Sequence, residues 1–109
     1  MQVLVTGASG FIGEYVVRAL FEAGHDVIGL DTGKPTLEEW IDADITQPIA
    51  PIPGLDAVIH LAAISPPRDC DNQPAAAFNV NVNGTHQVLK MAMESGAKKV
   101  VFASTAHVY

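Results

Sequence analysis

The chain has 109 residues, enough for one small domain with a single core, and carries 12 acidic against six basic residues for a net charge of −6. Hydrophobic residues make up 49% and charged residues 17%; the latter lies below the ~25% usual in soluble domains and suits strands buried on both faces of a parallel sheet. Nucleic acid and anionic membrane surfaces are argued against, because polyanions are met by basic patches and the only adjacent basic pair here is Lys98-Lys99.

Residues 2–6 read as a first strand, followed by a glycine-rich turn over 7–13. Residues 11–23 read as a helix with Ile12, Val16, Ala19, Leu20 and Ala23 on its buried face, and Gly24 stands where a C-cap glycine belongs. Residues 26–31 form the second predicted strand. Residues 36–40 are either one helical turn or a loop leading into a third strand near 39–43. Residues 47–54 hold three of the seven prolines, Pro48, Pro51 and Pro53, which argues for a short irregular crossover. A fourth strand is predicted at 56–62 and a loop at 63–73. A helix opened by Pro74 is predicted to run to about Ser95, with Phe78, Val82, Thr85, Leu89, Ala92 and Met93 as its buried stripe. Residues 98–104 read as a fifth strand. Strands and helices alternate, which is the pattern of a parallel α/β sheet.

No apolar stretch approaches the ~20 residues that span a bilayer. The opening Met1-Gln2-Val3-Leu4-Val5 lacks the basic segment of a signal peptide. The lone Cys70 has no partner for an internal disulfide. A cytoplasmic setting is therefore expected.

Several segments carry chemistry. Thr6-Gly7-Ala8-Ser9-Gly10-Phe11-Ile12-Gly13 follows a strand and opens a helix. A pyrophosphate placed there meets backbone N–H groups and the positive end of the helix dipole, and side chains at the close-approach positions would block it. The spacing is G-x-x-G-x-x-G; the alternative is a tight turn without a ligand. Asp31, at the end of the second strand, can accept hydrogen bonds from ribose hydroxyls and repels a 2′-phosphate, so NAD is favoured over NADP; Lys34 is the one nearby cation that could favour NADP. Asp44 is placed to reach an adenine amino group with Ile45 against the ring, or else to cap a turn with Thr46. His60-Leu61-Ala62-Ala63 ends the fourth strand at the switch point of the sheet, where small residues leave room for a ligand. His60 itself reads as a satisfied core histidine between Ile59 and Leu61. Ser104-Thr105 ends the fifth strand, either beside a nicotinamide or as turn residues. No two histidines have metal-ligand spacing, so no metal is expected.

Taken in order, Val5 to Gly13, Asp31, Asp44-Ile45-Thr46, His60 to Ala63, Asn81-Val82-Asn83-Gly84-Thr85 and Val101 to Tyr109 resemble the NAD-dependent epimerase/dehydratase family of extended short-chain dehydrogenase/reductases. The resemblance implies a pyrophosphate loop at Gly7, Gly10 and Gly13 with backbone contacts from Phe11 and Ile12. It implies ribose binding by Asp31 and an adenine pair at Asp44 and Ile45. Leu61, Ala62 and Ala63 match the segment beneath the nicotinamide ribose, Asn81 a residue supporting the site, Ser104 a neighbour of the nicotinamide, and Thr105 the catalytic Ser/Thr. The family's Tyr-x-x-x-Lys pair is absent: Tyr15 is followed four positions later by Ala19, and Tyr109 matches a turn aromatic.

The expected fold is a Rossmann-type doubly wound parallel sheet of five strands in order 3-2-1-4-5 with right-handed crossovers. The expected organisation is one incomplete NAD-binding domain over 1–109, without the C-terminal substrate domain. The implied parent is an oxidoreductase-type epimerase or dehydratase acting on a nucleotide-sugar, with this chain inactive alone. The alternative is a catalytically silent NAD(P)-binding sensor or assembly module. The apolar fifth strand, at the sheet edge, predicts a homo-oligomer or strand exchange through 98–104.

Overall fold

The computed structural model describes residues 1–61 and 79–103. Predictions that rest on Ala62, Ala63, Cys70, Pro74, Phe78, Ser104, Thr105 and Tyr109 lie outside the described residues.

Strand β1 spans Gln2–Thr6, helix α1 Phe11–Glu22, strand β2 Asp26–Asp31, strand β3 Trp40–Asp42 and strand β4 Ala57–His60. A π-helical segment covers Asn79–Gly84 and runs into helix α2, Thr85–Glu94, before strand β5, Lys99–Phe102. All pairings are parallel and the strand order is β3-β2-β1-β4-β5, as the alternating sequence pattern requires. Strands β1 and β2 coincide with the predicted ranges; the outer strands are shorter than predicted.

β1 is the central strand. Val3 sits between Val27 and Ala57, and Thr6 between Leu30 and His60. Its side chains alternate between two cores, which explains the unbroken apolar run. Val3 and Val5 pack with Val17, Val27 and Ala57 on the α1 side. Leu4 packs with Ile28, Leu30, Val58, Val88 and Met91 on the α2 side. Leu4, Leu30 and Met91 are wholly buried, each contributing about 1.5–3 kcal/mol relative to exposure. Trp40 of β3 closes the α1 side by lying on Gly29: a Cβ at Gly29 would approach its ring to 2.6 Å.

Both helices bury a stripe that overlaps the predicted one only in part: Val16, Leu20 and Ala92 face the core as predicted, and Ile12, Ala19, Ala23, Val82, Leu89 and Met93 do not. On α1 the buried residues are Gly13 and Val17, with Val16 and Leu20 packed beside them. Ile12, Ala19 and Ala23 face outward. The phase is set at the helix start, where Gly13 seats against the Gly7 carbonyl so closely that a Cβ would lie 2.2 Å from that oxygen. With Gly13 as the inner residue, Val17 and Leu20 follow at helical spacing and Ile12 is turned out. The helix stops as predicted at Gly24, whose φ of 86° is the left-handed conformation of a helix-terminating glycine.

The predicted single helix to Ser95 is two elements. The π-helical turn over Asn79–Gly84 closes i→i+5 rather than i→i+4 bonds, and so changes the phase of the helix that follows. Val88, Met91 and Ala92 face the sheet, whereas Val82, Leu89 and Met93 are exposed. Gly84 pins the junction: a Cβ there would come within 2.5 Å of the Ile45 side chain.

Candidate functional site

A crevice of about 460 Å³ opens at the C-terminal ends of β1 and β2, within the size range of ligand pockets. Its floor is Gly7, Ser9, Gly10 and Leu30; one wall is Asp31, Thr32, Ala43, Asp44 and Ile45; Leu61 and Val80 close the other side. Parallel sheets place ligands at this edge, where the chain leaves β1 for one face and β4 for the other.

The glycine loop is built by three different needs. Gly7 adopts φ 72°, donates its N–H to the Leu30 carbonyl at 2.9 Å, and accepts the Gly10 N–H at 3.1 Å. Gly13 is required by packing against Gly7, as above. Gly10 is required by neither: it is the N-cap of α1 with φ −76° and ψ 171°, an extended backbone, and a Cβ there would meet only the Gly7 carbonyl at an ordinary 3.4 Å. Gly10 is exposed and faces the crevice. The fold tolerates a side chain there; a ligand lying on the loop would not. The N-terminus of α1 has no side-chain cap, so its first-turn amides are free of intrahelical partners and carry the positive end of the helix dipole.

Asp31 faces this loop from the end of β2. Its carboxylate accepts the Ser9 N–H and hydroxyl and the Thr32 N–H. Asp44 forms the Asx turn: its Oδ1 accepts both the Thr46 N–H at 2.9 Å and the Thr46 hydroxyl at 2.7 Å. These bonds hold its carboxyl below the usual carboxylate range. Ile45 is buried beneath Gly84 and reaches the crevice from below.

Of the predicted site residues, Gly7, Gly10, Asp31, Asp44, Ile45 and Leu61 line one crevice. Gly13 stands behind the loop. Phe11 and Ile12 lie in the first turn of α1 with side chains 78% and 62% exposed, outside the crevice lining. Asn81 is exposed on the π-helical segment, where its carbonyl accepts the Thr85 hydroxyl at 2.7 Å. Ala62, Ala63, Ser104 and Thr105 are outside the described residues. Ser9, Leu30, Thr32, Ala43 and Val80 also line the crevice and are not among the predicted site residues. Ser9 occupies a variable place in the glycine pattern, although a hydroxyl before a helix is itself a signal. Val80 was read as part of a continuous α-helix, which hid its position.

His60 is 6% exposed and fully engaged. Thr85 donates its hydroxyl to the Asn81 carbonyl, so it accepts from His60 Nε2 at 3.2 Å. His60 Nδ1 then accepts the Thr6 hydroxyl at 2.6 Å, and Thr6 Oγ1 accepts the Leu61 N–H at 3.0 Å. This chain of bonds ties β1, β4 and α2 together behind the crevice. The ring of Phe102 meets His60 edge-on at 5.7 Å, and burial pushes the imidazole below its ordinary value.

The model of the NAD dependent epimerase/dehydratase family matches residues 3–109. The chain is 38% identical over 120 residues to the UDP-glucose 4-epimerase of Halalkalibacterium halodurans, covering 100% of this chain and 36% of that protein. It is 36% identical over 121 residues to the UDP-N-acetyl-alpha-D-glucosaminuronate decarboxylase of Bacillus cytotoxicus, covering 97% of this chain and 37% of that protein. Among solved structures it superimposes on MoeE5 in complex with UDP-glucose and NAD, with a TM-score of 0.86, 31% identity, and coverage of 100% of this chain and 38% of the other. The chain thus spans well under half the length of each of these relatives.

Proposed function

The chain belongs to the NAD-dependent epimerase/dehydratase family, and from that membership we propose that it is the NAD-binding part of an enzyme acting on a nucleotide-activated sugar by transient hydride transfer. Gly10 carries the reading. Its missing side chain is unexplained by backbone strain or internal packing, and it lies at an uncapped helix N-terminus that faces a carboxylate across a crevice. The amides and positive dipole end of such a terminus suit an anionic pyrophosphate, and the carboxylate suits the hydroxyls of an adjoining ribose.

In this reading the first-turn amides at Phe11 and Ile12 hold the pyrophosphate above Gly7 and Gly10. Asp31 takes the adenosine ribose. Asp44 and Ile45 border the adenine, with the Asx turn fixing where the Asp44 carboxylate stands. Leu61, Ala62, Ala63 and Ser104 border the nicotinamide end, supported by Asn81, and Thr105 is the hydroxyl that hydrogen-bonds the reacting sugar oxygen. When bound, the nicotinamide ring supplies the hydride acceptor. The sequence contains no Tyr-x-x-x-Lys pair, and loss of a general base costs about 10²–10⁴ in rate, so no turnover is expected of this chain alone.

The test is a calorimetric titration with NAD⁺ and then NADP⁺. Saturable NAD⁺ binding with NADP⁺ weaker by about tenfold or more is expected, a difference of about 1.4 kcal/mol. Failure of the folded chain to bind either overturns the reading. A second reading is a catalytically silent NAD(P)-binding sensor or assembly module.

A further inference from the structure

The far side of the crevice, Leu61 and Val80, is fastened to one buried side chain. His60 is 6% exposed and uses both ring nitrogens. Its Nδ1 accepts the Thr6 hydroxyl at 2.6 Å, and Thr6 Oγ1 accepts the Leu61 N–H at 3.0 Å. Its Nε2 donates to Thr85 Oγ1 at 3.2 Å, and the Thr85 hydroxyl donates to the carbonyl of Asn81, the residue after Val80. The ring thus reaches both members of that wall, each through one threonine. One nitrogen accepting and the other donating is the pattern of a neutral imidazole. A second proton makes Nδ1 a donor, so the Thr6 hydroxyl loses the acceptor it now uses and a cation stands in a buried place. No charge offsets that cation among the described residues. β1 and the π-helical segment carry no ionisable side chain, and Lys99 of β5 and His86, Lys90 and Glu94 of α2 make no hydrogen bond or ion pair with the ring. Phe102 of β5 meets it edge-on.

We propose that His60 is a positioning residue for the cofactor crevice: its neutral ring holds Leu61 and Val80 in the places where a bound cofactor meets them, so that the cofactor and a proton on the ring oppose each other. The proposal rests on the NAD reading above and adds a control by pH to that site. Binding is at full strength with His60 neutral and weakens as pH falls through its titration, which burial places below the ordinary 6.5. The sign separates this linkage from simple electrostatics. A negative pyrophosphate would favour the imidazolium, and a side chain already 6% exposed has little left to lose by being covered.

The experiment follows the His60 ring by NMR from about pH 8 to about pH 5 in the unsubstituted chain, free and saturated with NAD⁺, with circular dichroism to show that the chain stays folded. The protonated form is expected to bind NAD⁺ about fivefold more weakly, the worth of one hydrogen bond. By reciprocity the ring is expected to take up its proton at lower pH when NAD⁺ is bound. A ring that titrates at the same pH in both, at higher pH with NAD⁺, or not at all within the range overturns the proposal. His60→Leu removes both arms and is expected to weaken NAD⁺ binding about fivefold at the alkaline end. His60→Gln, whose amide can accept from Thr6 and donate to Thr85, is expected to recover part of that loss and to bind with no dependence on pH over the range. An unchanged affinity in His60→Leu overturns the proposal. Should that variant fail to fold, the NMR comparison in the unsubstituted chain decides alone. If the unsubstituted, folded chain binds no NAD⁺, the cofactor reading falls and the proposal with it; if it binds NAD⁺ and the His60 titration does not move, only the proposal falls.

Discussion

At the scale of single residues, the three loop glycines that look alike in sequence separate by what surrounds them. Gly13→Ala places a Cβ 2.2 Å from the Gly7 carbonyl and 2.9 Å from Ala8 backbone atoms. Backbone cannot yield as a flexible side chain does, so a loss of about 1–3 kcal/mol is expected in urea unfolding, as for other overpacked sites. Gly10→Ala meets nothing closer than 3.4 Å. It is expected to leave the unfolding midpoint within about 0.5 kcal/mol, as surface substitutions do, and to weaken NAD⁺ binding. Equal destabilisation by both would remove the argument that Gly10 answers to a ligand. The pattern G-x-x-G-x-x-G was legible in the sequence, but which glycine serves the fold and which the crevice was not, because that depends on the Gly7 carbonyl direction. The same holds for Asp44 and Ile45. Their spacing from Asp31 and the Asx turn with Thr46 could be read, whereas the burial of Ile45 under Gly84 comes from the crossover that folds them together.

At the scale of elements, β1, β2 and their order in the sheet followed directly from apolar runs bounded by glycine turns. The helix faces did not. Periodicity fixes a helix and its spacing but leaves its rotation open by one residue when several apolar positions compete, as Ile12, Gly13, Val16 and Val17 do. The π-helical turn adds a second ambiguity, since an i→i+5 closure has no signature in the pattern of residues 79–84. Burial of His60 at the junction of β1, β4 and α2 makes stability sensitive to pH. The folded state holds the imidazole neutral below its ordinary value of 6.5, whereas the unfolded chain takes up a proton there. The unfolded state therefore binds more protons, and stability is retained above about pH 6.5 and falls as pH drops below it. Urea midpoints measured from about pH 8 to pH 5 should show this decline, with a shallower slope in His60→Gln. An identical slope in the two proteins would assign the pH dependence elsewhere.

At the scale of the whole molecule, the sheet has an apolar side strand. β5 is hydrogen-bonded to β4 on one flank, and Val101 and Phe102 are 46% and 44% exposed. Such edges recruit other strands. Sedimentation at micromolar concentration is expected to show self-association of this chain, and Val101→Lys to shift it toward monomer; a clean monomer for the unsubstituted chain would count against pairing through β5. The crevice has a different relation to the chain. Among the described residues, every residue lining it apart from Leu61 and Val80 falls between Gly7 and Ile45, at the end of β2 and in the turns that follow β1, β2 and β3. The floor and one wall are thus written in a single contiguous stretch of sequence, and among the described residues two contacts come from later segments. A pocket encoded so locally can be inherited as a cassette.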